Sequence, residues 1–151
     1  MQDPLLWVTA LAAALALASL GGGLYEFVVV DPFWPRRPDL IQPARGGVSR
    51  KRFWIPAHFA FELALIASLV LGWERPDARL WLLVALASHA AMRLWSAFDF
   101  IPKALAFERA EAVDERAALA WTRRSRLRLP LDLATCAAML AAFAALARSG
   151  A

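Results

Sequence analysis

Four long apolar segments, separated by arginine-rich ones, constrain this chain more than any other feature. Hydrophobic residues make up 60% of its 151 residues and charged residues 20%. Each apolar segment has about the 20 residues that a helix needs to cross a bilayer. The alternation typical of barrel strands is absent, so only helices can satisfy the backbone in lipid. The sequence predicts an all-α, four-helix transmembrane bundle, a single domain over residues 1–151 with spans at about 4–30, 53–73, 80–101 and 129–147.

The distribution of lysine and arginine predicts the orientation. Six lie between spans one and two and seven between spans three and four, against three on the opposite side. The positive-inside rule places both of these long loops in the cytoplasm and both termini outside (N-out/C-out). We expect a multi-pass protein of the bacterial inner membrane. The net charge of +4 is then explained by membrane-surface arginines, and we expect no nucleic acid partner.

The two long connections differ in composition. "DPFWPRRPDLIQPARGG" contains four prolines, which exclude a continuous helix and leave an ordered cap or a plain loop. "PKALAFERAEAVDERAALAWTRR" favours helix. It is interpreted as a solvated charged helix, an interfacial helix or an extension of span three.

Several ionisable side chains fall within the predicted spans. His58 and Glu62 are four residues apart, as are His89 and Arg93, so each pair lies on one helix face. Such residues cost roughly 2.5–3.5 kcal/mol each at the centre of a membrane helix, which favours partners. Counted from the cytoplasmic ends, Glu62 lies roughly 13 Å deep and Arg93 roughly 12 Å. We therefore expect Glu62 to pair with Arg93.

Two interpretations of this polar set remain open. One is a salt-bridge network that holds the helices in register. The other is a polar pocket in the cytoplasmic half, in which His58 is a catalytic base, Glu62 orients it and Arg93 stabilises an anionic oxygen. No cofactor is expected, because the spacing does not match the paired Glu-x-x-His motif of di-iron bundles and Arg93 would repel a cation. If a metal is present, its expected ligands are Glu26, His58, Glu62 and His89.

Three stretches, "GGGLYEFVVVDPFWPRRP", "RFWIP" and "AMRLWSAFDFIPKALAFE", resemble the anthrone oxygenase-like family of small four-span bacterial membrane proteins. The resemblance implies an oxygenase or related enzyme that acts on hydrophobic, often polycyclic substrates without an organic cofactor. It points to Glu26, Trp54 and Arg93. The pair formed by His58 and Glu62 is also similar to that of sterol isomerase-type membrane proteins.

Together these observations predict a membrane enzyme of oxygenase or isomerase type for a small lipophilic molecule that arrives from the bilayer. The predicted substrate-binding residues are Glu26, Trp54, His89, Trp95, Ser96 and Thr135. One alternative is a non-catalytic membrane subunit with a partner. Another is a proton-linked transporter, which would require a homodimer. An enzyme requires a cavity between spans two and three that reaches the lipid or the cytoplasm.

Overall fold

The computed structural model describes residues 3–149, which are mostly helical and contain no strand. The α-helices are α1 (Pro4–Tyr25), α2 (Lys51–Leu71), α3 (Pro76–Trp95), α4 (Ile101–Arg109), α5 (Glu115–Ser125) and α6 (Leu129–Ser149). Four continuous helical segments are long and apolar enough to cross a membrane, namely Pro4–Val30, Lys51–Leu71, Pro76–Arg109 and Glu115–Ser149. The predicted all-α four-helix bundle is confirmed, and its orientation in the bilayer stays a prediction.

Two π-helical turns extend the long helices. Glu26–Val30 continues α1, and Ser96–Phe100 joins α3 to α4. Span three was predicted at about 80–101, and its helix runs on to Arg109, in line with the interpretation of the next segment as an extension of span three. In an ordinary α-helix the ring of Pro102 would clash with the carbonyl of Phe98, and the wider π-helical turn at Ser96–Phe100 contains that residue.

The connection between spans three and four is mostly helical, as its composition predicts. α4 and α5 fill most of it, and only residues 110–114 separate them. The Asp114 carboxylate ends this break, because it accepts a hydrogen bond from the backbone N–H of Arg116 at 2.8 Å and so caps α5. A 3-10 turn at Arg126–Arg128 then leads into α6.

The half of the bundle in which α1 begins and α6 ends, called here the terminal half, is packed with small residues. α6 lies against both α1 and α3, and α1 also packs along α2. Small side chains let membrane helices approach closely. The core here includes Ala12, Ala13, Ala85, Met139 and Ala142.

The opposite half, called the cap half, is arranged differently. α2 and α3 make little contact with each other, although a short link joins them. Residues 31–50 and 100–128 fold over this end as an ordered cap. Its core consists of Trp34, Ile41, Phe100, Ala118 and Trp121. The proline-rich connection is therefore the ordered cap of the two predicted alternatives.

The cap is tied together by polar contacts. The Gln42 side-chain amide donates to the backbone carbonyls of Phe107 and Ala110, each at 2.9 Å. The Trp34 indole N–H donates to the Asp31 carboxylate at 3.0 Å. Burial raises the pKa of Asp31 to about 6, against the opposing effect of the Trp34 hydrogen bond.

Candidate functional site

A cavity of about 570 Å³ lies in the cap half, between α2 on one side and α3 and α4 on the other. Its roof is the cap, and α1 and α6 contribute to its walls. The volume lies within the range of small-molecule sites, roughly 300–1,000 Å³. The expected cavity between spans two and three is therefore present.

The cavity has an apolar side and a charged side. Ile55, Phe59 and Ile101 line it and are also exposed on the outer surface of the bundle, where lipid would lie. The other walls hold five acidic and five basic side chains, so their formal charges cancel. The acids are Glu26, Asp31, Glu62, Glu108 and Asp132, and the bases are Arg50, Lys51, Arg93, Arg126 and Arg128.

Glu62 is the centre of the polar network. Its Oε1 accepts a hydrogen bond from Arg93 Nε at 2.9 Å, which is the expected pairing. The same oxygen lies 3.2 Å from His89 Nε2. α2 and α3 are thus linked at this depth by one carboxylate with two partners, although they otherwise make little contact.

His58 occupies a different position from the one expected. We predicted that Glu62 would orient His58, but the structure gives the Glu62 carboxylate to His89 and Arg93 instead. A charge-assisted hydrogen bond from Arg93 across the gap is stronger than a contact along one helix face. The His58 ring stacks on Trp54, with the ring centroids 5.3 Å apart and the planes at 21°. It also lies 5.7 Å from the His89 ring.

The two ring nitrogens of His58 have different surroundings. Nδ1 is buried and has no hydrogen-bond partner in the protein. His58 as a whole lines the cavity. Nε2 is therefore the ring nitrogen that can form a hydrogen bond with a molecule in the cavity.

Glu26 and Trp54 form the next contact toward the cap. The Trp54 indole N–H donates to Glu26 Oε1 at 2.7 Å, and both residues line the cavity. The π-helical turn that begins at Glu26 places this carboxylate over α2. Such turns occur frequently at functional sites.

The remaining predicted residues are divided between the cavity and other places. Ser96 lines the cavity, where its hydroxyl accepts a hydrogen bond from the Arg128 guanidinium at 2.7 Å. Trp95 does not line it and packs against the cap core. His89 and Thr135 do not line the cavity: His89 is buried beside Glu62, and Thr135 hydrogen-bonds Ser88 at 2.8 Å.

Several cavity residues were not predicted as site residues. Arg50 and Arg128 belong to loop-like segments in the sequence, and nothing local distinguishes them from other surface arginines. Asp132 could have been predicted as a site residue, since it is an acidic residue near the start of a predicted span. The cap brings Arg50 inward, where its guanidinium lies 5.9 Å from the Trp34 ring and 5.7 Å from the Trp121 ring.

The ligand set expected for a metal is not assembled. Within residues 3–149, no group of three or more His, Cys, Asp or Glu side chains is placed to hold a metal ion. Glu62 is engaged by Arg93, and Glu26 by Trp54. Of the four proposed ligands, Glu62 and His89 contact each other, whereas Glu26 pairs with Trp54 and His58 stacks on it, so the four do not converge on one point.

Comparison with known proteins found no matching family model, no matching curated protein and no matching solved structure. The resemblance to the anthrone oxygenase-like family thus stays a prediction.

Proposed function

We propose that this chain is a membrane enzyme that performs acid–base chemistry on a small lipophilic molecule. The supporting observation is the cavity itself, which combines an apolar side at the bundle surface with a charged interior. A network that only held the helices in register would not need an opening of about 570 Å³. Because the charges of the walls cancel, the cavity suits a substrate that enters neutral and becomes charged only during reaction.

The substrate enters sideways from the bilayer, between α2 and α4. Ile55, Phe59 and Ile101 line this side and are in place to contact lipid chains. Apolar contacts at the entrance give affinity without requiring the molecule to leave the membrane. The bilayer is the inner membrane of a bacterium, with the cap on the cytoplasmic side.

His58 and Arg93 carry the chemistry. His58 accepts a proton from a weakly acidic group of the substrate through Nε2, and the Arg93 guanidinium stabilises the resulting oxyanion. Glu62 is a positioning residue, since it holds Arg93 at 2.9 Å and His89 at 3.2 Å. Return of the proton to another atom of the anion would be an isomerisation, whereas attack of the anion on dioxygen would be an oxygenation.

The two alternative functions have less support. A transporter needs a polar path through both halves, and the terminal half is packed with alanine, leucine and methionine. A non-catalytic subunit would need only the network that holds the helices in register and not the cavity of about 570 Å³.

Native mass spectrometry of the gently purified protein tests the proposal, with two glycine variants as a matched pair. A Cβ at Gly23, which lines the cavity, would meet only Trp54 at 3.9 Å, whereas a Cβ at Gly21 would meet nothing within 4 Å. Gly23→Leu therefore reduces the space in the cavity beside Trp54, and Gly21→Leu adds the same side chain outside it. We expect a co-purified lipophile in the wild type and in Gly21→Leu, and its loss in Gly23→Leu.

The extracted lipophile then serves as the substrate. We expect His58→Ala and Arg93→Ala each to abolish its conversion while the protein still inserts and folds. A stoichiometric metal in the same preparation, or equal retention of the lipophile by both glycine variants, would contradict the proposal. Loss of folding in both alanine variants would favour the register-holding network.

A further inference from the structure

A second, much smaller void lies next to His58, on the side of the ring away from the cap. Its volume is about 10 Å³, and side chains from α1, α2, α3 and α6 line it, including Ser19, His58 and Asp132. A space of about 10–15 Å³ for probe centres holds one water molecule if polar partners are present. The size of the void therefore limits its occupant to a single water.

The walls of this void supply the polar partners. Ser19 Oγ and His58 Nδ1 are both buried without a hydrogen-bond partner in the protein. Leaving such an atom unpaired costs about 1–3 kcal/mol. Thr135 also lines the void, but its hydroxyl is already satisfied by Ser88 at 2.8 Å and by the Leu131 carbonyl at 2.9 Å.

Asp132 completes the set. It lines both the void and the large cavity, so it lies between them. Among residues 3–149 its carboxylate has no side-chain hydrogen bond, and Arg128 is the nearby opposite charge. An ionised carboxylate only accepts hydrogen bonds, so it needs a donor such as water.

We infer that the void binds one water molecule that joins Asp132 and Ser19 to His58 Nδ1. The water donates one hydrogen bond to the Asp132 carboxylate and one to Ser19 Oγ, and it accepts one from the Nδ1–H of His58. Three hydrogen bonds are typical of a buried water. Asp132 is thereby a positioning residue that acts on His58 through the water.

The arrangement determines the tautomer of His58. A proton held on Nδ1 leaves the lone pair on Nε2, which is the form that accepts a proton from a molecule in the cavity. The use of this tautomer in catalysis rests on the proposed function. The water site and the tautomer themselves do not, so they are measurable without a substrate.

Nitrogen NMR of histidine-labelled protein in detergent tests the inference. The chain has two histidines, His58 and His89, so the His58 signals are those that disappear in His58→Gln. At about pH 8, where a free imidazole is neutral, we expect the Nδ1–H tautomer of His58 in the wild type. Asp132→Ala and Ser19→Ala should each move the larger part of the population to the Nε2–H form.

Thr9→Val is the matched control for Ser19→Ala. Thr9 Oγ1 is likewise a buried hydroxyl of α1 without a partner, but Thr9 lines neither the cavity nor the void. Its replacement should leave the His58 tautomer unchanged. Because Ser19→Ala removes a single oxygen, it gives an answer even if Asp132→Ala does not fold.

A wild-type His58 in the Nε2–H form would overturn the inference. So would an unchanged tautomer in Ser19→Ala, or a shift of equal size in Thr9→Val. The test is separate from that of the proposed function. A tautomer shift in a protein that holds no lipophile would refute only the proposed function, and a bound and converted lipophile with no tautomer shift would refute only the water link.

Discussion

The same long helices build two halves with opposite properties. In the terminal half, alanines such as Ala12, Ala85 and Ala142 bring the helices into close contact. In the cap half, α2 and α3 separate around a cavity of about 570 Å³ lined by ten charged side chains. Both π-helical turns also lie in the cap half, where their residues line the cavity. The comparison shows that close helix packing and an internal site are divided between the two ends of one bundle.

Removal of the Trp34 side chain should have the largest effect on the difference between the two halves, because it would detach the cap. Trp34 is 0% exposed in the cap core, and the neighbouring Phe33 is 61% exposed. Trp34→Ala should lower the free energy of unfolding of the cap by about 3–5 kcal/mol. Limited trypsin digestion would then cut the arginine-rich segment after α1 much faster than in the wild type. Phe33→Ala is the control and should leave the digestion rate nearly unchanged, and equal rates in the two variants would mean that the cap is not held by its core.

A larger side chain should destabilise the terminal half more than the cap half. Ala142 is 0% exposed in the core of the terminal half, so Ala142→Leu should destabilise the bundle by about 1–3 kcal/mol. Gly23→Leu adds a comparable side chain toward the cavity and should cost much less. Thermal unfolding in detergent, followed by circular dichroism, measures both. Equal losses of stability in Ala142→Leu and Gly23→Leu would show that the cavity is filled or collapsed in the folded protein.

The stability of the cap should depend on pH through Asp31. Its pKa is raised by burial from 3.8 to about 6, so the folded protein binds this proton more tightly than the unfolded chain does. The contribution of Asp31 to stability is therefore greatest below pH 4 and falls by up to about 3 kcal/mol as pH rises through 6. The difference in unfolding free energy between the wild type and Asp31→Asn should follow this course.

Asp39→Asn is the control for the pH experiment. The hydrogen bond from Arg37 lowers the pKa of Asp39, so its contribution has the opposite sign and is lost as pH falls. A difference curve for Asp31→Asn that was flat, or that had the sign of the Asp39 curve, would show that Asp31 is not buried in the folded cap.

The pair formed by Glu62 and Arg93 should give the smallest effect on stability. Their side chains are 36% and 37% exposed, so solvent weakens the interaction. A double-mutant cycle with Glu62→Gln and Arg93→Met should give a coupling energy of about 1 kcal/mol. A coupling of several kcal/mol would mean that the pair chiefly holds α2 to α3. A small coupling with complete loss of substrate conversion would support a role in the site.

Much of the architecture was predictable from the sequence. Spans one and four were expected at 4–30 and 129–147, and the helical segment Pro4–Val30 and helix α6 (Leu129–Ser149) lie there. Helix formation in lipid is local, because every backbone hydrogen bond must be made within the segment. The pairing of Glu62 with Arg93 was also predictable, since the depth of a residue in a membrane helix follows from its position in the chain.

The partners of the other polar residues were not predictable. Depth allows Glu62 to contact either His58 or His89, and only the rotation of α3 selects His89. Similarly, Trp95 faces the cap core and Thr135 lies outside the cavity, although the sequence placed both near the polar set. Rotation of a helix about its axis depends on packing against its neighbours and not on its own hydropathy.

The sequence by itself determined that this chain forms four membrane-spanning helices and that their polar residues gather at one end, because length and hydropathy act along each helix independently. Only the tertiary structure decided that α2 and α3 separate, that the cap folds over the gap and that Arg50, Arg128 and Asp132 line the resulting cavity. These features depend on contacts between segments distant in the chain, as when the carbonyls of Phe107 and Ala110 hold Gln42 in the cap. No local sequence pattern predicts such contacts.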